Sequence, residues 1–183
     1  GEAIYRERLE DFKTKTDLEI AEKAKLAFPG RLRYAMTATP VSEDGSVRHS
    51  KSEKKRVLYE FCCSVNSELG RVSGEHDIKC VRITKEASDM HDPEQVSNLV
   101  KEIRTTPGCH LHASLPCTVW STWQHLNCRK KGETYIRRLE TRRTRSLELF
   151  SNFVKVATAV REGGGTISFE WPRYCLGWAC LLY

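Results

Sequence analysis

The chain of 183 residues reads as an α/β fold, a mostly parallel sheet with flanking helices, and three features say so. Short apolar runs of strand length recur at 57–62, 78–83, 111–115 and 166–169. Helical periods stand between the later runs, at 93–104 and 135–161. Turn-forming residues mark the changes, at Asp92-Pro93, Pro107-Gly108 and Gly163-Gly164-Gly165. Such alternation implies strands that run the same way, helices that cross over them, and ligands at the carboxyl ends of the strands.

Residues 1–28 mix Glu, Lys and Ala with scattered Leu, Ile and Phe, which predicts a helical N-terminal extension of low amphipathicity. Pro29-Gly30, Pro40, Asp44-Gly45 and a Ser/Lys-rich run predict a flexible linker over 29–56. The α/β domain then occupies 57–183. Its first strand is followed at 66–74 by small, turn-prone residues that read as a loop. After the second strand, Asp92 caps and Pro93 opens a helix that runs to Arg104. The third strand leads into a loop and then a long helix, in which Ile136, Leu139, Leu147, Phe150, Val154 and Val160 mostly recur at helical spacing. Three glycines stop it before the last strand.

Hydrophobic residues make up 39% and charged residues 30%, enough apolar material for a packed core and too little net charge for wholesale disorder. No apolar stretch approaches the ~20 residues of a membrane-spanning helix, and no charged-then-apolar leader is present. The expected location is therefore nucleus or cytoplasm, with neither membrane insertion nor secretion. None of the eight cysteines forms a C-x-x-C pair, so they read as reduced thiols. Cys109, His110 and His112 alternate along a strand, which puts the histidines on one face and Cys109 on the other, so no metal is expected.

The net charge of +6 is concentrated. Residues 129–145 carry eight basic and two acidic side chains, as much as the whole excess. Arg129, Lys130, Lys131, Arg137, Arg138, Arg142, Arg143 and Arg145 suit a phosphate-backbone contact surface, although a solvated helix face fits the same pattern. Trp120 and Trp123, just upstream, offer rings for base stacking or for core packing.

Three strand ends carry chemistry. Glu60 ends the first strand and leads into Ser64, Asn66 and Ser67, an acid followed by small residues, as in loops that hold an adenosine cofactor. Pro116-Cys117 follows the third strand and exposes a thiol at the sheet edge, where basic neighbours and local dipoles favour thiolate; burial as a small hydrophobe is the competing fate. Glu170 ends the fourth strand, placed to protonate a ring nitrogen or to stand solvated.

This order, with Pro-Cys-x-x-x-Ser between the two acids, resembles the N-terminal half of the DNA cytosine-5 methyltransferases over residues 57–178. The resemblance implies a Rossmann-like sheet of the class I methyltransferase type, truncated at its C-terminus, and S-adenosyl-L-methionine as cofactor. It implies Cys117 as the nucleophile at C6 of a flipped-out cytosine and Glu170 as the acid at N3, with Ser121 the serine after the Pro-Cys turn. Glu60, Ser64, Asn66 and Ser67 would form the cofactor loop, with Glu86 at the ribose hydroxyls and Asp89 near the adenine. Nucleic acid is the implied partner, DNA ahead of RNA.

The chain departs from that pattern in places. Thr118 stands for Gln, Trp171-Pro172 for Asn-Val, and Ser or Asn for each loop glycine. The arginine motif, target-recognition region and closing strands have no place before Tyr183, so a fragment, a decayed copy or part of a larger polyprotein is expected. Similar segments sit in copia-like retroelement polyproteins. Two other readings stay open: exocyclic amino methylation, whose motif Ser114-Leu115-Pro116-Cys117 half matches, and a non-catalytic nucleic-acid-binding module of a retroelement polyprotein, which the missing glycines and motifs favour.

Overall fold

A computed structural model describes residues 56–173 and 175–178. The extension over 1–28 and all of the linker but Arg56 lie outside the described residues. In chain order the elements are β1 (Arg56–Phe61), α1 (Glu68–Ser73), a 3-10 turn (Gly74–His76), β2 (Ile78–Ile83), α2 (Pro93–Arg104), β3 (His110–Ala113), a second 3-10 turn (Thr118–Trp120), α3 (Trp123–Lys131), α4 (Glu133–Glu162) and β4 (Thr166–Phe169). The strands form one sheet in the order β2-β1-β3-β4, and all three pairings are parallel.

Strand register sorts side chains by face, because alternate residues point to opposite sides. Tyr59, Phe61, Leu111, Ala113, Ile167 and Phe169 share one side through the pairs Tyr59↔Leu111↔Ile167 and Phe61↔Ala113↔Phe169. This is the core face. Phe153 of α4 meets Phe61 and Phe169 at ring distances of 5.6 and 5.4 Å, and Phe150 lies 6.0 Å from Phe169. Helix α2 seals the neighbouring part, where the Tyr59 hydroxyl donates to Glu102 at 3.0 Å. Burying each such aromatic ring stabilises the fold by roughly 1.5–3 kcal/mol.

The last turn between α4 and β4 is tight. A Cβ on Gly165 would collide with the Cys109 carbonyl oxygen and with Val160, so only glycine lets the chain pass from the helix into the strand beside β3.

Two helices stand where the sequence predicts loops. In α1, the Ser67 side chain caps the Gly70 amide and Glu68 sits in the first turn, while Gly70 conceals the helical pattern. In α3, Gln, His, Asn, Arg and Lys dominate and no apolar stripe marks a period. Gly132, with a φ of 70°, separates α3 from α4. The longer helix α4 starts at Glu133 and spans 30 residues, about 45 Å at 1.5 Å per residue. Among the described residues no helix is long and apolar enough to cross a membrane.

Candidate functional site

The second face of the sheet carries Leu58, Glu60, His110, His112, Thr166 and Ser168, brought together by the pairs Leu58↔His110↔Thr166 and Glu60↔His112↔Ser168. A groove of about 900 Å³ lies over these side chains. Leu69 and Val72 of α1 wall it on the β1 side, and Cys62, Cys63, Ser64, Ser114 and Glu170 line its carboxyl rim. The chain order reverses between β1 and β3, so this rim includes the point at which the connections leave in opposite directions along the sheet.

Glu60 is only 6% exposed yet lines the groove. Its Oε2 accepts the Ser67 hydroxyl at 2.5 Å, and Ser67 Oγ in turn accepts from Arg82 Nε at 3.1 Å and from the Gly70 amide at 3.2 Å. The buried carboxylate is thereby linked to a guanidinium through one hydroxyl, which lowers the cost of burying it. Ser67 thus stands behind Glu60 as the cap of α1. Ser64 lines the rim and its Oγ accepts from the Asn66 amide at 3.3 Å; both are exposed. Asp89 accepts from the His91 amide at 3.0 Å, and Glu86 is exposed; both follow β2 and neither lines the groove.

The left-handed backbone position in the β1 loop falls on Cys62, with a φ of 61°, and not on Ser64 or Asn66. Burial, with smaller contributions from Cys63 and Asp89, pushes the Cys62 thiol up to about 12. Burial and then the Glu60 charge push Cys63 up to about 11. Neither supplies thiolate near neutral pH.

Cys117 and Glu170 follow the neighbouring strands β3 and β4 and belong to one knitted edge. The Trp171 indole donates to the Leu115 carbonyl at 2.8 Å, the Leu176 amide to the Trp120 carbonyl at 2.8 Å, and the Glu170 amide to the Ala113 carbonyl at 3.0 Å. Their side chains diverge. Cys117 is half-buried against the core and is not part of the groove lining, whereas Glu170, its side chain 64% exposed, lines the groove with Oε1 3.9 Å from His112 Nε2. Ser121 Oγ accepts from the Trp123 amide at 3.3 Å, a local bond at the start of α3.

The histidines form a network that no sequence motif marks. His110 Nδ1 lies 2.7 Å from Thr166 Oγ1, and Ser168 Oγ lies 2.9 Å from His110 Nε2 and 2.8 Å from His112 Nδ1. Burial, reinforced by His112, holds the His110 pKa below its ordinary value. The one available signal was that His110 and His112 share a strand face. Their partners lie 56 and 58 residues away and become visible only once β3 and β4 pair.

Two of the residues read as a nucleic-acid surface are structural. Trp120 is 5% exposed and donates its indole N–H to Ser146 at 2.9 Å. Arg143, 8% exposed, lies over the Trp120 ring at 5.2 Å and donates to the Val119 carbonyl at 3.1 Å. The buried pair joins the second 3-10 turn to α4. Trp123, in contrast, is 70% exposed. Arg129, Lys130 and Lys131 form the exposed last turn of α3, where they also complement its dipole, and Lys131 lies 4.9 Å from the centre of the Tyr135 ring. Arg137, Arg138 and Arg142 are exposed on α4, with Arg137 3.4 Å from Glu133.

No protein-family model, curated protein or solved structure matches the chain.

Proposed function

We propose that the domain is an S-adenosyl-L-methionine-dependent methyltransferase-type module that acts on a nucleic-acid base, with cytosine C5 as the target. The observation that carries this reading is the groove at the reversal between β1 and β3, the place where open α/β sheets take their ligands. Its size suits a nucleoside cofactor. Leu58, Leu69 and Val72 offer an apolar slot, and Glu60, Ser64 and Ser114 offer acceptors and hydroxyls for a ribose. The cofactor, when bound, supplies the methyl group. Cys117 turns from its packed position at the end of β3 to add to C6 of the base while Glu170 delivers a proton at N3. After the methyl reaches C5, loss of the C5 proton to water, return of the N3 proton to Glu170 and departure of the Cys117 sulfur restore the ring. The exposed α3–α4 cations hold the phosphate backbone.

Calorimetric titration of S-adenosyl-L-methionine into the full chain tests the cofactor arm. Saturable binding is expected, weakened about tenfold or more in Glu60→Gln, which retains an acceptor for Ser67 but loses the charge. A flat titration on folded protein overturns it. Trapping on DNA that contains 5-fluorocytosine tests the thiol: a covalent adduct is expected, and it disappears in Cys117→Ala.

A second reading, a non-catalytic nucleic-acid-binding module, is favoured by one contrast. Trp123 and its cationic neighbours are open to solvent, while Cys117 is packed against the core. Its signature is DNA binding that weakens steeply with salt, is reduced by Trp123→Ala, and proceeds without methyl transfer.

A further inference from the structure

Apart from Glu170, methyl transfer leaves the polar network on the groove floor unused. A serine hydroxyl has one proton, so Ser168 donates to one of the two imidazoles at its Oγ and accepts from the other. The Glu170 carboxylate beside His112 Nε2 favours the proton on that nitrogen and leaves Nδ1 as the acceptor from Ser168. His110 then donates Nε2–H to Ser168 Oγ and accepts the Thr166 hydroxyl at Nδ1. Every proton in the chain has one direction. A hydroxyl in contact with a base, itself faced by a carboxylate, is the arrangement that activates a nucleophile.

We infer that Ser168 is a nucleophile for small activated carboxylic esters, with His112 as its base, Glu170 as the positioning carboxylate and His110 as the N–H donor to the developing alkoxide. The half-buried Ser168 lies on the groove floor, and Leu58 and Val72 provide an apolar bed for a short acyl chain. Ser168 Oγ bonds to the ester carbonyl carbon as its proton passes to His112 Nδ1. The bond from that carbon to the alcohol oxygen breaks, and the alcohol leaves with the proton. Water then gives a proton to the same nitrogen and attacks the acyl-serine. The Oγ–C bond breaks, Ser168 regains its proton and the carboxylic acid departs. The lowered pKa of His110 keeps that ring neutral, as a single-proton donor.

An alkyl fluorophosphonate, which phosphonylates an activated serine oxygen with loss of fluoride, tests this on the full chain. One adduct is expected, located on Ser168 by peptide mass spectrometry, and formed about a hundredfold more slowly in His112→Ala. Glu170→Gln slows labelling and Glu170→Asp restores part of the rate, a recovery that a merely structural role would not produce. No adduct on folded wild-type protein, an adduct elsewhere, or an unchanged rate in folded His112→Ala overturns the proposal. The wild-type adduct decides even if that variant does not fold. The assay contains neither S-adenosyl-L-methionine nor nucleic acid, so its failure is distinct from failure of the methyltransferase reading.

Discussion

The sheet face that carries Tyr59, Phe61, Leu111, Ala113 and Phe169 is sealed by α2 and α4, whereas among the described residues the face with Leu58, Glu60, His110, His112 and Ser168 has α1 over its β1–β2 side and a groove beyond. Parallel sheets ordinarily bury apolar side chains on both faces. Here the work is divided. One face supplies the packing that holds the domain together, and the other keeps hydroxyls, imidazoles and carboxylates where a ligand can reach them. Substitutions should therefore separate into those that cost stability and those that cost chemistry.

Phe153→Ala should have the largest effect. The ring is fully buried among Phe61, Phe150 and Phe169, so its removal should cost about 3–5 kcal/mol in urea unfolding. A smaller loss would mean that the sealed face is less tightly packed than its ring contacts imply. Gly165→Ala comes next, at about 1–3 kcal/mol by the same measurement, since the added methyl meets the Cys109 carbonyl and Val160.

The polar face should respond weakly. Ser168→Ala removes two hydrogen bonds in a half-buried setting and should cost about 1 kcal/mol, while it abolishes fluorophosphonate labelling. Loss of global folding in Ser168→Ala would break the division between faces.

The smallest effect concerns pH. The folded-state pKa of His110 lies below its ordinary value of 6.5 because burial, and then His112, oppose the charged form. The unfolded chain therefore binds the proton first, so stability falls as pH drops through about 6.5 and levels off below the folded-state pKa. Thermal melts between pH 7.5 and 5.0 should show this slope, and His110→Gln should flatten it.

Much of this layout was legible in the residues themselves. Asp92-Pro93 announced α2 because a capping side chain and a fixed-φ first residue are local signals. Thr166–Phe169 matched its apolar run for the same reason. Helix α1 escaped notice because Gly70 interrupts it, and α3 because its surface is polar nearly all round. Arg143 illustrates a deeper limit: in the sequence it is one cation among eight, and only folding lays it across Trp120. The rim acids could be placed, since strand ends are local, but the divergence of Cys117 from Glu170 depends on how the turns beyond β3 and β4 pack together.

Helix α4 carries one more consequence. All but two of its buried residues lie from Leu147 onward, so a single hydrogen-bonded rod is anchored densely at one end and at the other only by Leu139, the Arg143–Trp120 contact and the half-buried Tyr135 and Ile136. Its N-terminal boundary, Gly132, offers no side-chain cap. Opening of that end does not require the core to open with it. Deuterium should enter the amides of the first three turns well before those facing β3 and β4, which makes the arginine-bearing segment a separately melting unit within one continuous helix.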